Sequence, residues 1–177
     1  MTSMKTTFEI LNSMVNEGVF QSYAIGGAIG ASLYLEPTAT FDIDIFVVLP
    51  QSPGRGLVSV APIYEYLTER GFKPHAEHII IEDWPVQFLV AGDRLEDEAV
   101  AQAADAELEG VRARIMTAEH LIAIALRTGR AKDYSRVLQF LEQYSIDHKR
   151  LQSILSRHGL VSAWQRFKRR FLGSADE

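Results

Sequence analysis

Cysteine is absent from the 177 residues of the sequence, which excludes disulfide bonds, thiolate metal sites and cysteine nucleophiles. Long apolar runs are absent as well, since no stretch approaches the roughly 18 to 20 apolar residues that a membrane-spanning helix requires. The N-terminal segment lacks the apolar centre and the small-residue cleavage site of a signal peptide. We therefore expect no membrane association and a cytoplasmic location. Hydrophobic residues make up 47% of the chain and charged residues 23%, as in an ordinary one-domain globular protein.

A large positive charge is also missing, because the formal net charge is −5 at pH 7. This balance excludes a protein covered in nucleic-acid-binding charge. The charges are nevertheless unevenly distributed, with an acidic segment at residues 93–109 and a basic one at residues 149–170. Two solvated helix faces explain this pattern. The alternative is that the basic segment helps to bind a polyanion such as RNA, or an acidic protein partner.

The spacing of apolar residues predicts an α+β protein. Apolar residues recur at helical spacing near the N-terminus, around residues 58–70 and through the last third of the chain, with β-branched and aromatic runs between them. The predicted strands are 22–25, 41–49, about 73–81, about 85–90 and about 109–115, and the predicted C-terminal helices are 118–128, 131–143, 147–157 and 160–172. We expect a mixed β-sheet flanked by helices over residues 1–116. A C-terminal helical bundle, residues 117–177, is expected to pack as one unit with this core.

Two aspartates interrupt the strongest predicted strand. Side chains alternate between the two faces of a strand, so Asp42 and Asp44 share one face, with their Cα atoms roughly 6.5 to 7 Å apart. Carboxylates so close repel each other and lose hydration unless a cation or hydrogen-bond donors lie between them. Mg²⁺ or Mn²⁺ resolves this conflict, because Mg²⁺ binds through one or two carboxylates together with substrate phosphates. The strand therefore predicts a metal site at Asp42 and Asp44.

A glycine pair precedes this strand. Gly26 and Gly27 lie between a predicted strand and a predicted helix, where the backbone can approach a phosphate group closely. A glycine pair or a D-x-D motif alone is weak, because both also mark tight turns. Together, in this order and on predicted strand ends, they favour a site that binds a phosphate group and a metal ion.

This combination resembles the DNA polymerase β-type nucleotidyltransferase superfamily, in which a GG or GS turn is followed by D-x-D on an adjacent strand. Residues 24–49, AIGGAIGASLYLEPTATFDIDIFVVL, follow that pattern. Residues 121–142, LIAIALRTGRAKDYSRVLQFLE, resemble the helical part of small bacterial nucleotidyltransferases related to the AbiEii toxin family. The resemblance implies a nucleotidyltransferase-like mixed sheet of about five strands and metal-dependent transfer of a nucleoside monophosphate.

The resemblance also implies roles for individual residues. Gly26 and Gly27 match the phosphate-contacting turn, and Asp42 and Asp44 match the two metal-binding carboxylates. Thr40 matches the small hydroxyl residue that often precedes that pair.

In the helical part, Arg130, Lys132 and Asp133 match an R-x-K-D segment that we assign to nucleotide binding. Asp133 has an equally good structural interpretation, in which it pairs with a neighbouring cation and caps the next helix. Two cations of the family pattern are replaced here, a lysine by Ala125 and an arginine by Thr38.

The third carboxylate of the family is also replaced. Its position, on the strand that faces the D-x-D motif, falls on Gln87. A glutamine amide can ligate a cation through its oxygen, but it brings no charge and cannot act as a general base. Glu82 and Asp83 lie nearby in sequence, but they have the character of turn residues.

The histidines are assigned no role. His75 and His78 lie three positions apart in one predicted strand, so they are expected on opposite faces and at the surface. His120 opens a predicted helix and is expected to be exposed or half-buried.

The first hypothesis for function is a metal-dependent nucleotidyltransferase that transfers a nucleoside monophosphate from an NTP to a hydroxyl of a protein, an RNA or a small molecule. Asp42, Asp44 and Gln87 form its catalytic group, with Mg²⁺ or Mn²⁺ as the cofactor. The alternative is a catalytically degenerate binding protein with the same fold, such as a component of a toxin–antitoxin-type pair. Gln87 and Ala125 favour this alternative, whereas the intact D-x-D motif counts against it.

Overall fold

The computed structural model describes residues 3–37, 39–40, 42–50 and 59–173. The chain divides into two compact units. The first comprises Met1–Gly30 and Thr38–Met116, and the second comprises Ala31–Pro37 and Thr117–Glu177. Among the described residues, no helix is long and apolar enough to cross a membrane.

The first unit is built on a mixed sheet that contains seven strands within the described residues. The strands are β1 (Ser22–Ile25), β2 (Ile43–Val48), β3 (Lys73–His75), β4 (His78–Ile81), β5 (Trp84–Val90), β6 (Ala104–Leu108) and β7 (Val111–Ile115). Their order across the sheet is β3-β4-β5-β2-β1-β7-β6. The β2–β5 and β1–β7 pairs are parallel, and the other neighbours are antiparallel. Strand β2 is therefore central, as expected for a run so rich in isoleucine and valine.

The helices of the first unit cover this sheet. They are α1 (Lys5–Asn16), the short α2 (Gly27–Ala31), α3 (Ala61–Glu69) and α4 (Arg94–Ala101). Helix α1 packs on β1 and β7, and α4 packs on β1 and β2. The apolar residues of α1 recur at helical spacing, which fully buries Phe8, Leu11 and Met14. Asp93 begins α4, because its carboxylate accepts hydrogen bonds from the backbone N–H groups of the first turn.

The second unit is helical. It contains α5 (Ala118–Thr128), α6 (Ala131–Gln143), α7 (His148–Arg157) and α8 (Val161–Phe171). Helix α5 is the central element and contacts the other three. Gly129, at φ 70°, ends α5 in the left-handed conformation and lets the chain turn into α6. These four helices confirm the predicted bounds to within one residue.

The α+β class is confirmed, but the prediction of about five strands was wrong. The segment predicted as one strand at 73–81 is an antiparallel pair, β3 and β4, with a turn at Ala76 and Glu77. Ala76 adopts φ 53°, which alanine rarely does, so no glycine or asparagine marks this turn in the sequence. The strand predicted near 109–115 is β7, and the unpredicted β6 pairs with it as a hairpin that turns at Glu109 and Gly110.

Candidate nucleotide and cation site

The two aspartates lie at the beginning of β2. Asp42 immediately precedes the strand and Asp44 is its second residue, so both side chains leave the same face. Asp44 is half-buried, whereas the intervening Ile43 and the following Ile45 are fully buried on the other face. The sequence-based arrangement of one carboxylate face and one apolar face therefore describes β2 correctly.

Asp44 lies in a row that crosses the sheet. On the β1 side its backbone carbonyl accepts a hydrogen bond of 2.9 Å from the N–H of Gly26. On the β5 side its register partner is Gln87. Continuing the β4–β5 register by one residue places His78 opposite Gln87. Cross-strand partners share a face of the sheet, so Asp44, Gln87 and His78 present their side chains on the same side.

The glycine pair is required by side chains of β2 that press against it. A Cβ atom at Gly26 would lie 2.7 Å from the Phe46 ring. A Cβ atom at Gly27 would overlap Asp44 Oδ2 and lie 2.9 Å from its Cγ. Gly27 also adopts φ 56°, which favours glycine. The Asp44 carboxylate thus lies directly against the backbone of the β1–α2 turn, and the GG and D-x-D motifs form one packed arrangement.

Thr40 supports the first aspartate. Its hydroxyl donates a hydrogen bond of 3.2 Å to the backbone carbonyl of Asp42, and it lies 3.4 Å from Asp42 Oδ1. These contacts orient the segment that leads into β2. Thr38, which replaces the arginine of the family pattern, lies outside the described residues.

His78 lies beside Asp42, and the expectation that it is a surface residue was wrong. The turn between β3 and β4 makes His75 and His78 a cross-strand pair on one face, not two positions of one strand. The side chain of His78 is only 18% exposed, and its Nε2 lies 3.6 Å from Asp42 Oδ2. That distance is too long for a hydrogen bond. His75, by contrast, is exposed as expected.

Gln87 lies opposite Asp44 on β5, at the position where the sequence resemblance expected a third carboxylate. Glu82 and Asp83 are exposed residues of the β4–β5 turn, with φ values of 49° and 72°. They are turn residues, as their sequence context indicated.

The R-x-K-D segment begins α6 in the second unit. Asp133 is 2% exposed, and its carboxylate accepts hydrogen bonds from the backbone N–H and from the guanidinium of Arg130. The two guanidinium bonds measure 2.8 and 3.2 Å, so Arg130 and Asp133 form a bidentate pair at the beginning of the helix. These contacts give Asp133 the structural role, while Lys132 is exposed. A role of the three residues in nucleotide binding stays a prediction.

His120 also differs from its expectation, because it is fully buried in α5. Its Nδ1 lies 2.8 Å from the hydroxyl of Thr117, the residue before the helix. The first turn of α5 is buried together with it, so position in the first turn does not predict exposure here.

The donor atoms at the beginning of β2 suit a small divalent cation. Two carboxylates, an amide and an imidazole face the same region, and the Nε2 atom of His78 is buried without a hydrogen-bond partner among the described residues. Within residues 3–37, 39–40, 42–50 and 59–173, no three histidine or acidic side chains are already clustered around a cation position. Asp42 and Asp44 therefore fit the mode in which two carboxylates hold an ion and substrate oxygens complete its coordination.

Sequence reasoning missed His78 and Phe46. The sequence did contain a signal for Phe46, because it lies two residues after Asp44 and therefore on the same face of β2. Its ring contacts Gly26 on that face. The signal for His78 depends on the turn at Ala76, which has no composition cue.

Comparison with known proteins supports the fold. No protein-family model matches the chain, and no curated protein matches it. The solution structure of the antibiotic-resistance factor ANT(2'')-Ia is similar, with 14% identity over 98% of this chain and 100% of that chain and a TM-score of 0.51. An antigenic nucleotidyltransferase-like protein from Paracoccidioides brasiliensis is 15% identical over 92% of each chain, with a TM-score of 0.52. Neither comparison supports the AbiEii-related subgroup, but both agree with the mixed sheet and its flanking helices. The chain therefore has a nucleotidyltransferase-like α+β fold.

Proposed function

We propose that this protein is a divalent-cation-dependent nucleotidyltransferase that transfers a nucleoside monophosphate from an NTP to a hydroxyl acceptor. The observation that carries the proposal is the packing of Asp44 against Gly27, with Asp42 on the same face of β2. A half-buried carboxylate held against a glycine turn at the beginning of a central strand is unfavourable in an ordinary sheet. It is favourable where a cation and a polyphosphate bind.

Each residue of the site has a role in this proposal. Asp42 and Asp44 hold Mg²⁺ or Mn²⁺, which supplies charge neutralisation for the polyphosphate. The glycine turn, Gly26 and Gly27, lets the triphosphate approach the backbone. Thr40 orients the segment that carries Asp42. Gln87 offers a neutral amide beside Asp44, where it can ligate the ion or donate a hydrogen bond to a phosphate oxygen.

The reaction is an in-line displacement at the α-phosphorus. The acceptor hydroxyl oxygen forms a bond to that phosphorus while the bond to the bridging oxygen of the β-phosphate breaks, and pyrophosphate leaves. The hydroxyl proton passes to solvent or to a basic group of the acceptor, because Gln87 cannot take it. Positioning and charge neutralisation therefore supply most of the rate enhancement.

The test is binding of each NTP in the presence of Mg²⁺ or Mn²⁺, since it does not require a known acceptor. The parent should bind NTP only with the cation, and the Asp42→Asn, Asp44→Asn double variant should lose this binding. The matched control is the Asp105→Asn, Glu107→Gln double variant, which removes two exposed carboxylates at the same alternation on β6. The control should bind as the parent does. Equal binding by all three proteins would exclude the β2 site.

Gln87 favours a second candidate, a protein that binds NTP and cation without transfer. In this form the chain is a binding component, for instance of a toxin–antitoxin-type pair. Transfer of the label from α-labelled NTP to protein, RNA and small-molecule hydroxyl acceptors, offered in turn, separates the two candidates. Cation-dependent binding with no transfer to any of them would support the binding protein. Acceptor binding that weakens steeply with salt would identify an RNA acceptor.

A further inference from the structure

His78 Nε2 is a buried polar atom that lacks a hydrogen-bond partner among the described residues. Buried ring nitrogens are normally satisfied, so such an atom needs a physical explanation. Its nearest ionisable partner is the Asp42 carboxylate, with Oδ2 at 3.6 Å. The imidazole and a carboxylate of the proposed cation site therefore face each other without a direct hydrogen bond.

The separation of these two atoms suits a shared ion. Two ligand atoms that are each about 2.1 Å from one cation lie about 3.0 Å apart at a right angle and about 3.4 Å apart at the tetrahedral angle. The observed 3.6 Å is slightly wider than both values. The Asp42 side chain is 43% exposed, so it has room to turn toward the imidazole by the few tenths of an ångström required.

The other ring nitrogen faces a second carboxylate. His78 Nδ1 lies 4.0 Å from Oε1 of Glu77. Metal-ligating histidines commonly have such a carboxylate on the second nitrogen. The Tyr64 hydroxyl donates a 2.8 Å hydrogen bond to the Glu77 carbonyl, which holds the turn in place.

We infer that His78 joins Asp42 as a ligand of the cation in the proposed site, and that its imidazole makes this site select Mn²⁺ over Mg²⁺. The inference rests on the proposed function for the two carboxylates. It also explains Gln87, because a nitrogen ligand from β4 takes the coordination position that a carboxylate on β5 would otherwise fill. Imidazole binds first-row transition metals better than it binds Mg²⁺, which prefers oxygen ligands.

The experiment is a titration of the full chain with Mn²⁺ and with Mg²⁺ in the presence of inorganic tripolyphosphate. This probe completes the coordination sphere and contains no nitrogen. The Mn²⁺ sample is also examined by pulsed electron paramagnetic resonance for nitrogen coupling. The proteins are the parent, His78→Ala, His78→Gln and the control His75→Ala, which removes the exposed imidazole across the β3–β4 turn. Circular dichroism melting identifies any variant that does not fold.

The parent and His75→Ala should bind Mn²⁺ more tightly than Mg²⁺ and show imidazole nitrogen coupling. Both His78 variants should lose the coupling, and their Mn²⁺ affinity should fall at least about tenfold. Unchanged Mn²⁺ binding in folded His78 variants would overturn the inference but leave the carboxylate site intact. Absence of nitrogen coupling in a parent that still binds Mn²⁺ would have the same meaning. Absence of cation binding in the parent would overturn both this inference and the cation role in the proposed function.

Discussion

The contact between Gly27 and Asp44 makes a sharp prediction for the Gly27→Ala variant. The added Cβ atom would overlap Asp44 Oδ2 and lie 2.9 Å from Cγ and 3.2 Å from Cβ of that residue. The backbone at φ 56° adds a second cost, because alanine in the left-handed region is about 1 to 2 kcal/mol less stable. Relief of the overlap requires the Asp44 side chain to leave its rotamer, at about 0.5 to 1.5 kcal/mol. The free energy of unfolding should therefore fall by about 1.5 to 3.5 kcal/mol.

The Gly18→Ala variant separates these two costs. Gly18 has a similar backbone angle, φ 74°, but nothing lies within 4 Å of its added Cβ atom. This variant should lose only the backbone contribution, about 1 to 2 kcal/mol. It should bind Mn²⁺ as the parent does, whereas Gly27→Ala should bind at least about tenfold more weakly because the Asp44 carboxylate has moved.

Urea unfolding and Mn²⁺ titration in the presence of tripolyphosphate measure both quantities. The reasoning would be refuted if the two alanine variants lost equal stability and both kept the cation affinity of the parent. That result would mean that Asp44 is not held against the glycine turn.

Three further variants test individual contacts. Gln87→Asp places a third carboxylate beside Asp44. The free energy of unfolding of the metal-free protein should fall by about 1 to 3 kcal/mol through charge repulsion, while the affinity for Mg²⁺ should rise. Unchanged Mg²⁺ affinity in a titration would contradict this. Asp133→Ala should cost about 1.5 to 3 kcal/mol, because it removes a buried acceptor of charged hydrogen bonds. Arg130→Ala should cost a comparable amount, because it leaves the buried Asp133 carboxylate without its guanidinium partner. Urea unfolding measures both, and a loss below about 0.5 kcal/mol in either variant would count against the cap. Burial raises the pKa of the Tyr23 hydroxyl from 10.0 to about 12, so the folded state holds this proton more tightly than the unfolded state does. The resulting stabilisation is complete below pH 10 and is lost as the pH rises toward 12. Between about pH 9 and about pH 11, the parent should lose about 1 kcal/mol more unfolding free energy than Tyr23→Phe, and parallel losses would refute the shift.

The features that the sequence predicts correctly are those with local causes. Strand β2 follows from its β-branched run, and the four C-terminal helices follow from apolar periodicity and end signals such as Gly129. The adjacency of the glycine turn and the aspartates follows from the order of a strand, a turn and a second strand. The antiparallel β1–β2 pairing then places Gly26 directly against Asp44.

The features that sequence reasoning missed depend on conformations without a composition cue. The β3–β4 turn uses Ala76 at φ 53°, where glycine or asparagine would have announced it. One unmarked turn changes the face of every residue in the segment that follows, so His78 moves from an expected surface position to a place beside Asp42. The environment of His78 is therefore a consequence of strand pairing over long sequence separations, which local patterns do not contain.

The costs at the beginning of β2 have a common explanation in the cation. Asp44 is half-buried against a turn that adopts a positive φ angle, and a buried imidazole nitrogen beside Asp42 lacks a hydrogen-bond partner among the described residues. Each feature alone lowers the stability of the empty protein, because it desolvates a polar group. Both lie at the same end of β2. In the proposed function, one divalent cation would offset the carboxylate repulsion and satisfy the ring nitrogen together.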